Sequence, residues 1–144
     1  MASIHAYLNF NGNTEEVFNF YKSVFGGEFI TFQRFKDIQG QDHMSEEDQE
    51  KIMHVSLPID SNSVLMGSDT MESMDNNVTM GDNIHLSINA ESQDEADKLF
   101  NGLSSGGKIT MPLQKTFWGA YFGMFQDRFG INWMVNYDFP EAKN

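Results

Sequence analysis

Apolar and polar residues alternate along several short segments of the chain, which is the pattern of a strand with one buried face. In the first segment, 4–10, Ala6, Leu8 and Phe10 fall on one side. His5, Tyr7 and Asn9 fall on the other side. Further strands are predicted at 28–35, 52–59, 63–68, 84–90 and 108–113, and the aromatic segment 115–138 predicts a hairpin whose turn is 127–130.

Two other segments place their apolar residues on one stripe of a helix. The first stripe consists of Val17, Phe18, Tyr21, Val24 and Phe25, and the second of Ala96, Leu99, Phe100 and Leu103. Asn13 is the predicted N-cap of the first helix, and Ser92 with Glu95 forms a predicted capping box on the second. A Gly-Gly pair follows each stripe, as expected at a helix end. The acidic segment 36–51 is predicted to be a surface loop with at most one helical turn.

The second half of the chain repeats the first. A shift of 80 residues gives seven identities over the 24 positions from 4 to 27, among them His5 with His85 and Asn9 with Asn89. Each half therefore reads as strand, helix and three strands. This order predicts an α+β fold of two tandem βαβββ modules that form a cupped, mostly antiparallel mixed sheet with helices on its convex face. The predicted parts of this single structural domain are a first module at 1–68, a linker at 69–82, a second module at 83–138 and a C-terminal tail at 139–144.

Composition and charge limit the kinds of molecule that the protein is expected to bind. The 144 residues carry a formal charge of -12 and no basic cluster, which argues against nucleic acid and anionic membranes as partners. Cysteine is absent, so disulfides, thiolate metal sites and a cysteine nucleophile are excluded. No apolar stretch has the length of a membrane span and no signal peptide is recognisable, so a cytoplasmic protein is expected. Glycine-rich dinucleotide or phosphate loops and a nucleophile elbow are also missing from the sequence.

Several segments together carry a family resemblance. They are AYLNFNGNTEEVFNFYKSVFGG at 6–27, IMH at 52–54, VLMGSD at 64–69, and TFW followed by FGMFQDRFGINWMVN. In this order they resemble the vicinal oxygen chelate superfamily of glyoxalases, bleomycin-resistance proteins and extradiol dioxygenases, and within it the PhnB-like branch. The resemblance covers essentially the whole chain and implies the duplicated βαβββ fold and a homodimer. The superfamily hosts many reactions on one scaffold, so the resemblance does not imply one activity.

The resemblance also implies where a divalent metal would be held. Members that bind one take a ligand from the first strand and a ligand from the fourth strand of each half. The first-strand positions are His5 and His85, whereas the fourth-strand carboxylates are replaced by Met66 and Met134. A thioether is no ligand for a hard or borderline cation, so Zn(II) or Ni(II) would be held weakly by His5 and His85 alone; a third donor could come from His54.

The residues on the polar sides of the strands are the candidate ligand contacts. Histidines there suit acid–base chemistry and equally suit a polar pocket wall. The two methionines can form an adaptable apolar floor of the pocket or simply fill the core. The aromatic residues at the hairpin can contact a planar ligand or form a dimer contact. The predicted pocket comprises His5, Tyr7, His54, Met66, His85, Trp118, Phe122 and Met134.

Two main functional hypotheses follow. The first is a small-molecule binding protein that sequesters an apolar or aromatic ligand without reaction, as the resemblance to drug-sequestering relatives implies; its acidity suits a cationic ligand. The second is a metal-dependent or acid–base lyase or isomerase of the glyoxalase type that acts on a small metabolite. An interaction module that docks a partner through the aromatic hairpin is a third, less specific interpretation.

Overall fold

A computed structural model of the chain describes residues 1–40, 43–71 and 77–140. The chain divides into two units, Met1–Thr79 and Met80–Asn144. Each unit contains one four-stranded mixed sheet, and the same order of elements occurs in both. The predicted α+β fold of two tandem βαβββ modules is confirmed.

The elements of the first module are β1 (Ala6–Phe10), α1 (Thr14–Phe25), β2 (Thr31–Arg34), α2 (Glu46–Glu50), β3 (Ile52–Asp60) and β4 (Ser63–Asp69). Its sheet has the strand order β1-β4-β3-β2. Strand β1 pairs parallel with β4, and the other pairs are antiparallel. A 3-10 turn at Phe35–Asp37 and α2 follow β2, so the predicted acidic loop contains two short helical segments.

The elements of the second module are β5 (Leu86–Asn89), α3 (Gln93–Ser104), β6 (Lys108–Lys115), β7 (Ala120–Gln126) and β8 (Asn132–Asp138). Its sheet repeats the arrangement of the first, with the strand order β5-β8-β7-β6. Strand β5 pairs parallel with β8, and the remaining pairs are again antiparallel. The predicted aromatic hairpin is confirmed as β7 and β8.

Each module has its core between the helix and one face of its sheet. In the first module α1 buries Val17, Phe18 and Tyr21. In the second module α3 buries the whole predicted stripe, which is Ala96, Leu99, Phe100 and Leu103. The opposite face of each sheet, called the open face below, carries the alternate residues of the strands.

A strand glycine lets each helix approach its sheet closely. A Cβ at Gly67 of β4 would lie 2.7 Å from the ring of Phe18 on α1. A Cβ at Gly123 of β7 would lie 2.6 Å from the ring of Phe100 on α3. No larger residue fits either position without displacing the helix, so both rings pack directly against strand backbone.

The cap of α1 differs from the prediction. Asn13 occupies the N-cap position, but its side chain makes no capping hydrogen bond. Instead, the backbone N–H of Thr14 donates to Oδ1 of Asp69 at 2.9 Å, and Oδ2 of Asp69 accepts from the N–H of Ile52 at 2.8 Å. A buried carboxylate from β4 thus replaces the local amide, because an ionised oxygen is the stronger acceptor. On α3 the predicted cap is present, since Ser92 Oγ accepts from the N–H of Glu95 at 3.0 Å.

The segments around the modules are partly described. Asp69, Thr70 and Met71, at the start of the predicted linker, are buried, and 72–76 lie outside the described residues. In the predicted tail, the N–H of Phe139 donates to the carbonyl of Gly119 at 3.1 Å, whereas 141–144 lie outside the described residues. Within the described ranges, no helix has the length and apolar character needed to cross a membrane.

Asp127 organises the turn between β7 and β8. Its Oδ1 accepts from the N–H groups of Phe129 and Ile131 at 2.9 and 3.0 Å, and its Oδ2 accepts from the indole Nε1 of Trp133 at 2.9 Å. The carboxylate is only 2 % exposed. Asp127, predicted as a turn residue, therefore also holds Trp133, the largest buried side chain of the second module.

Replacement of Asp127 by Ala should destabilise the second module strongly. Loss of the carboxylate leaves buried N–H donors without their acceptor, so we expect the free energy of unfolding to fall by about 3 kcal/mol. Urea denaturation followed by circular dichroism measures this change. The exposed Asp82→Ala is the control, with an expected change below about 0.5 kcal/mol. An equally small effect of Asp127→Ala would contradict the assigned role.

Candidate functional site

The open face of the first module brings two predicted site residues into contact. Tyr7 lies on β1 and His54 on β3, and the phenol Oη of Tyr7 is 3.3 Å from the Nδ1 of His54. The two rings are 5.7 Å apart between centroids and are inclined by only 28°. Tyr7 is 45 % exposed, so the pair forms an accessible aromatic surface.

Met66 lies beside this pair because of the strand register. In the parallel pairing of β1 with β4, Tyr7 is the partner of Met66, and Met66 is in turn the partner of Ser56 on β3. Partners across a ladder project from the same face of a sheet. The neighbours of Met66 along β4, Leu65 and Gly67, are buried toward α1. The thioether therefore belongs to the open face, next to the tyrosine ring.

The first-strand histidine lies just before β1. His5 precedes β1, is exposed, and has its Nε2 3.5 Å from the hydroxyl of Ser3. This contact is at the limit of hydrogen bonding, so it does not hold the imidazole firmly. His5 has the same strand parity as Tyr7, but the structure records no contact between them among the described interactions.

The second module places Met134 at the position equivalent to Met66. Met134 on β8 is the partner of Ser87 on β5, and Ser87 lies 80 residues after Tyr7, the partner of Met66. Met134 is also the partner of Met124 on β7. His85 directly precedes β5 and is half-buried. Met124 was not among the predicted contacts. The alternation of residues along β7 is the sequence signal that would have placed Met124 on the open face.

The aromatic residues at the start of the hairpin form a small cluster. The rings of Trp118 and Phe122 are 6.3 Å apart between centroids, and Trp118 also meets the edge of Phe117 at 5.0 Å. Phe117 and Trp118 are 97 % and 55 % exposed. Phe122 is the strand partner of Asn136 and Gln114, so it lies on the open face of the second module.

The donor set does not fit the divalent metal that the fold implies. The two positions at which carboxylates would complete such a site hold Met66 and Met134, whose thioethers do not bind hard or borderline cations. Among the residues that the structure describes, no group of three or more His, Asp or Glu side chains is arranged to hold a metal ion.

Cavities also occur in the first module at the N-terminal end of α1. One, of ≈ 480 Å³, is lined by Asn11, Gly12, Glu47, Lys51, Thr70 and Asn77. A second, of ≈ 350 Å³, is lined by Gly12, Glu15, Arg34, Glu47, Glu50, Lys51, Ile52 and Asp69. None of the predicted pocket residues lines either cavity. Their walls are charged and polar, unlike the aromatic and thioether surface of the open face.

An ion pair that the sequence did not reveal lies at the second cavity. The guanidinium of Arg34 donates to both carboxylate oxygens of Glu15, with Nη1–Oε1 at 3.0 Å and Nη2–Oε2 at 2.7 Å. This hydrogen bonding lowers the pKa of Glu15, against the opposing effect of burial, and raises the pKa of Arg34. Arg34 also donates to the carbonyl of Glu50 at 2.8 Å, so it joins α1 to α2. Spacing along the chain gives no signal for such a contact, because its members are 19 residues apart.

The fold and the site geometry define a duplicated βαβββ protein with one open sheet face in each module. The Glyoxalase/Bleomycin resistance protein/Dioxygenase superfamily matches residues 3–135 of the chain. The chain belongs to this superfamily, and the predicted family is confirmed.

Three relatives with similar lengths refine the placement. Protein PA1353 of Pseudomonas aeruginosa is 39% identical, with a TM-score of 0.82 over 96% of this chain and 98% of that one. A putative 3-demethylubiquinone-9 3-methyltransferase, PhnB protein, of Bacillus cereus is 25% identical, with a TM-score of 0.74 over 94% and 99% of the two chains. Protein YjdN of Escherichia coli K12 is 28% identical over 90% of this chain and 91% of its own length. The chain is thus similar to PhnB-like proteins.

The Glu15–Arg34 pair should contribute stability that depends on pH. A carboxyl whose pKa is lowered by folding stabilises the folded state above its unfolded pKa, and this contribution is lost as the pH falls through the folded value. The side chains are 46% and 23% exposed, so we expect Glu15→Gln to cost less than about 1 kcal/mol at neutral pH. The difference in the free energy of unfolding between Glu15→Gln and the unsubstituted protein should shrink once the pH falls below 4.5, the ordinary pKa of glutamate.

Urea denaturation at a series of pH values measures this difference. Glu16→Gln is the matched control, because Glu16 lies in the same first turn of α1 and is exposed. Both substitutions remove a favourable charge at the helix N-terminus, so that effect cancels. Equal losses in the two variants, or a loss that does not change with pH, would show that the ion pair is not the cause.

Proposed function

We propose that this protein binds a small, flat, apolar or aromatic molecule on the open face of the first module and holds it without reaction. The single observation that carries the proposal is the Tyr7–His54 pair with Met66 beside it. The two rings are stacked with an inclination of 28°, and the ring of Tyr7, which is 45% exposed, offers a surface to a planar ligand. Rings prefer offset or edge contacts with other rings, and each such contact contributes about 0.5–1.5 kcal/mol.

The thioether of Met66 supports the apolar character of the ligand. A methionine has three rotatable side-chain bonds and a polarisable sulfur, so it adapts to aromatic surfaces of different shape. At the same position a carboxylate would instead favour a metal ion or a cation held at short range. The fold therefore retains an open sheet face, while the chemistry at the fourth-strand position favours an apolar contact.

The charge of the protein supports a cationic ligand. A formal charge of -12 on 144 residues attracts cations over long distances and repels anions. Between a planar cation and a planar anion of the same size, the cation should therefore bind more tightly at low ionic strength.

We also propose that the protein forms a homodimer. Strand β6 is an edge strand whose residues are almost all exposed, and an exposed edge can pair with a second chain.

A charge series of tricyclic compounds tests the proposal. The cation 9-aminoacridine should bind more tightly than neutral acridine, and the anion 9-anthracenecarboxylate should bind least tightly, as measured by ligand fluorescence. The double variant Tyr7→Ala, His54→Ala should weaken binding of the cation about 10-fold, which corresponds to the loss of two ring contacts. Mass spectrometry should recover the ligand unchanged after long incubation.

The control variant is Asn62→Ala, in the exposed turn between β3 and β4. It leaves the open face intact and should bind the cation as the unsubstituted protein does. Absence of binding for all three compounds, or equal binding by the double variant, would contradict the proposed site.

A metal-free acid–base lyase or isomerase is the second candidate. The contact between the phenol of Tyr7 and the imidazole of His54 favours it, because the two groups can pass a proton to or from a molecule on the open face. A metal-dependent enzyme of the glyoxalase type is the less favoured form of this hypothesis, since Met66 and Met134 supply no suitable ligand.

Metal titration separates the metal-dependent form from the others. We expect calorimetry of the protein without a histidine tag to show no stoichiometric binding of Zn(II) or Ni(II) at micromolar or tighter affinity. The double variant His5→Ala, His85→Ala is the comparison. Tight binding that disappears in this variant would overturn the expectation and favour the metal-dependent enzyme.

A further inference from the structure

A row of polar side chains crosses the open face of the first module. Asn9 on β1 is the strand partner of Ser68 on β4. His54 on β3 is the strand partner of Gln33 on β2. The antiparallel register of β3 with β4, continued by one position, places His54 beside Ser68. Strand partners project from the same face of a sheet, so these four side chains form one row, called the amide row below.

The amide row is accessible and lies next to the ring of Tyr7. Asn9 is exposed, and Ser68, His54 and Gln33 are half-buried. Tyr7 is two residues before Asn9 on β1, so the two project from the same face about 7 Å apart along the strand. Gln33 lies at the other end of the row, beside His54. A flat molecule on the Tyr7–His54 pair is thus bordered by a side-chain amide on each side.

Both amides have hydrogen-bonding groups that a ligand can use. The hydroxyl of Ser68 donates to Oδ1 of Asn9 at 3.2 Å, which orients this amide and leaves its Nδ2 as a donor. Among the residues that the structure describes, neither this Nδ2 nor the amide of Gln33 has a hydrogen-bond partner. Asn9 therefore offers a donor to a ligand, and Gln33 offers both a donor and an acceptor.

The second module has amides at the same places. Asn89 on β5 is the partner of Asn136 on β8. Phe122 on β7 is the partner of both Asn136 and Gln114 on β6. Each module thus has Asn on its first strand, Gln on its second strand and a ring on its third strand. Asn is depleted in strands, and the open face is not packed against a helix, so neither strand propensity nor core packing explains these amides.

The spacing of the strands limits the width of a ligand between the two amides. Three strand spacings of about 4.8 Å separate β1 from β2, which places the backbones of Asn9 and Gln33 about 14 Å apart. A hydrogen bond of about 2.9 Å at each edge leaves about 8 to 9 Å. The width of one fused ring system and the inward lean of the two side chains fill this distance. The ligand would therefore need a polar group on each of its two long edges.

A side-chain amide distinguishes between ring edges. Its donor and acceptor lie next to each other, so it pairs with a ring edge on which an acceptor lies beside a donor. A hydrocarbon edge offers no partner and would displace water from the amide without compensation. The ring pair therefore favours a flat molecule, and the amides favour one with polar edges.

We propose that the ligand of the first module is a planar, fused nitrogen heterocycle that Asn9 and Gln33 recognise at its two long edges. This inference rests on the proposed binding at the Tyr7–His54 pair and specifies the class of ligand. The Nδ2 of Asn9 donates to a carbonyl oxygen or ring nitrogen on one edge. The amide of Gln33 pairs with a donor and an adjacent acceptor on the other edge.

Two fluorescent tricyclic compounds form a matched pair of probes. Lumichrome has a carbonyl oxygen beside a ring nitrogen on one long edge, and an N–H beside a ring nitrogen on the other. Lumiflavin keeps the first edge, but its second edge lacks the N–H and carries a methyl group on the ring nitrogen. Loss of the paired hydrogen bonds to Gln33 should make lumiflavin bind about 10-fold more weakly than lumichrome to the full chain, as measured by ligand fluorescence.

Single substitutions assign each edge to one amide. Gln33→Met keeps the length of the side chain and should weaken lumichrome about 10-fold, while lumiflavin changes less than about 2-fold. Asn9→Leu should weaken both compounds about 3-fold or more, because both keep the carbonyl edge. The matched controls, Gln39→Met and Asn62→Leu, make the same replacements at exposed positions outside the sheet and should bind both compounds normally. Circular dichroism checks that each variant is folded.

Equal affinity for the two compounds, or equal losses of both in Gln33→Met, would overturn the inference. The double variant Tyr7→Ala, His54→Ala should weaken both compounds alike, because it removes the rings and not the amides. If 9-aminoacridine binds and neither lumichrome nor lumiflavin does, the heterocycle class is wrong and the ring site remains. If none of the three compounds binds, the ring site fails as well.

Discussion

The parallel pairing of the first strand with the fourth strand is the constraint on which each module depends. A parallel ladder needs a long connection, and here the helix and two strands provide it. The pairing of Tyr7 with Met66, and of Ser87 with Met134, then determines which side chains meet on the open face. A slip of one residue would move the whole set to the helix-covered side and bring Phe10 or Val135 into solvent. The burial of the apolar set therefore holds the site residues in place.

Buried carboxylates complete the hydrogen bonding where the strand ladders end. Asp69 accepts from the first N–H of α1 and from the N–H of Ile52, and Asp127 accepts from two turn N–H groups and the indole of Trp133. Donors at such ends have no ladder partner and are costly to bury alone. Some of the acidity of the chain thus stabilises its interior, while the remainder gives the surface its negative field.

Regular patterns in the sequence predicted most of the fold and part of the site. Alternation assigned Tyr7 and His54 to the polar sides of their strands, and the family resemblance added Met66. The register places all three on one face, because strand parity is a local property. Asn13 was predicted correctly as the N-cap position of α1, but the acceptor for the N–H of Thr14 is Asp69, 55 residues away. The Arg34–Glu15 pair depends on which helix and strand are neighbours in the fold. Alternation and helical spacing do not contain that information.

The two modules share a backbone but differ in the chemistry of their open faces. On the helix-covered side both modules meet the same requirement, which is an aromatic ring against a strand glycine, and both solve it with Phe at Phe18 and Phe100. On the open side the residues differ more: Tyr7 and Ser56 of the first module correspond to Ser87 and Met124 of the second, whereas Met66 and Met134 are both methionines. Side chains that packing leaves unspecified can change without loss of the fold. The two open faces can therefore differ in what they bind while the modules keep the same fold.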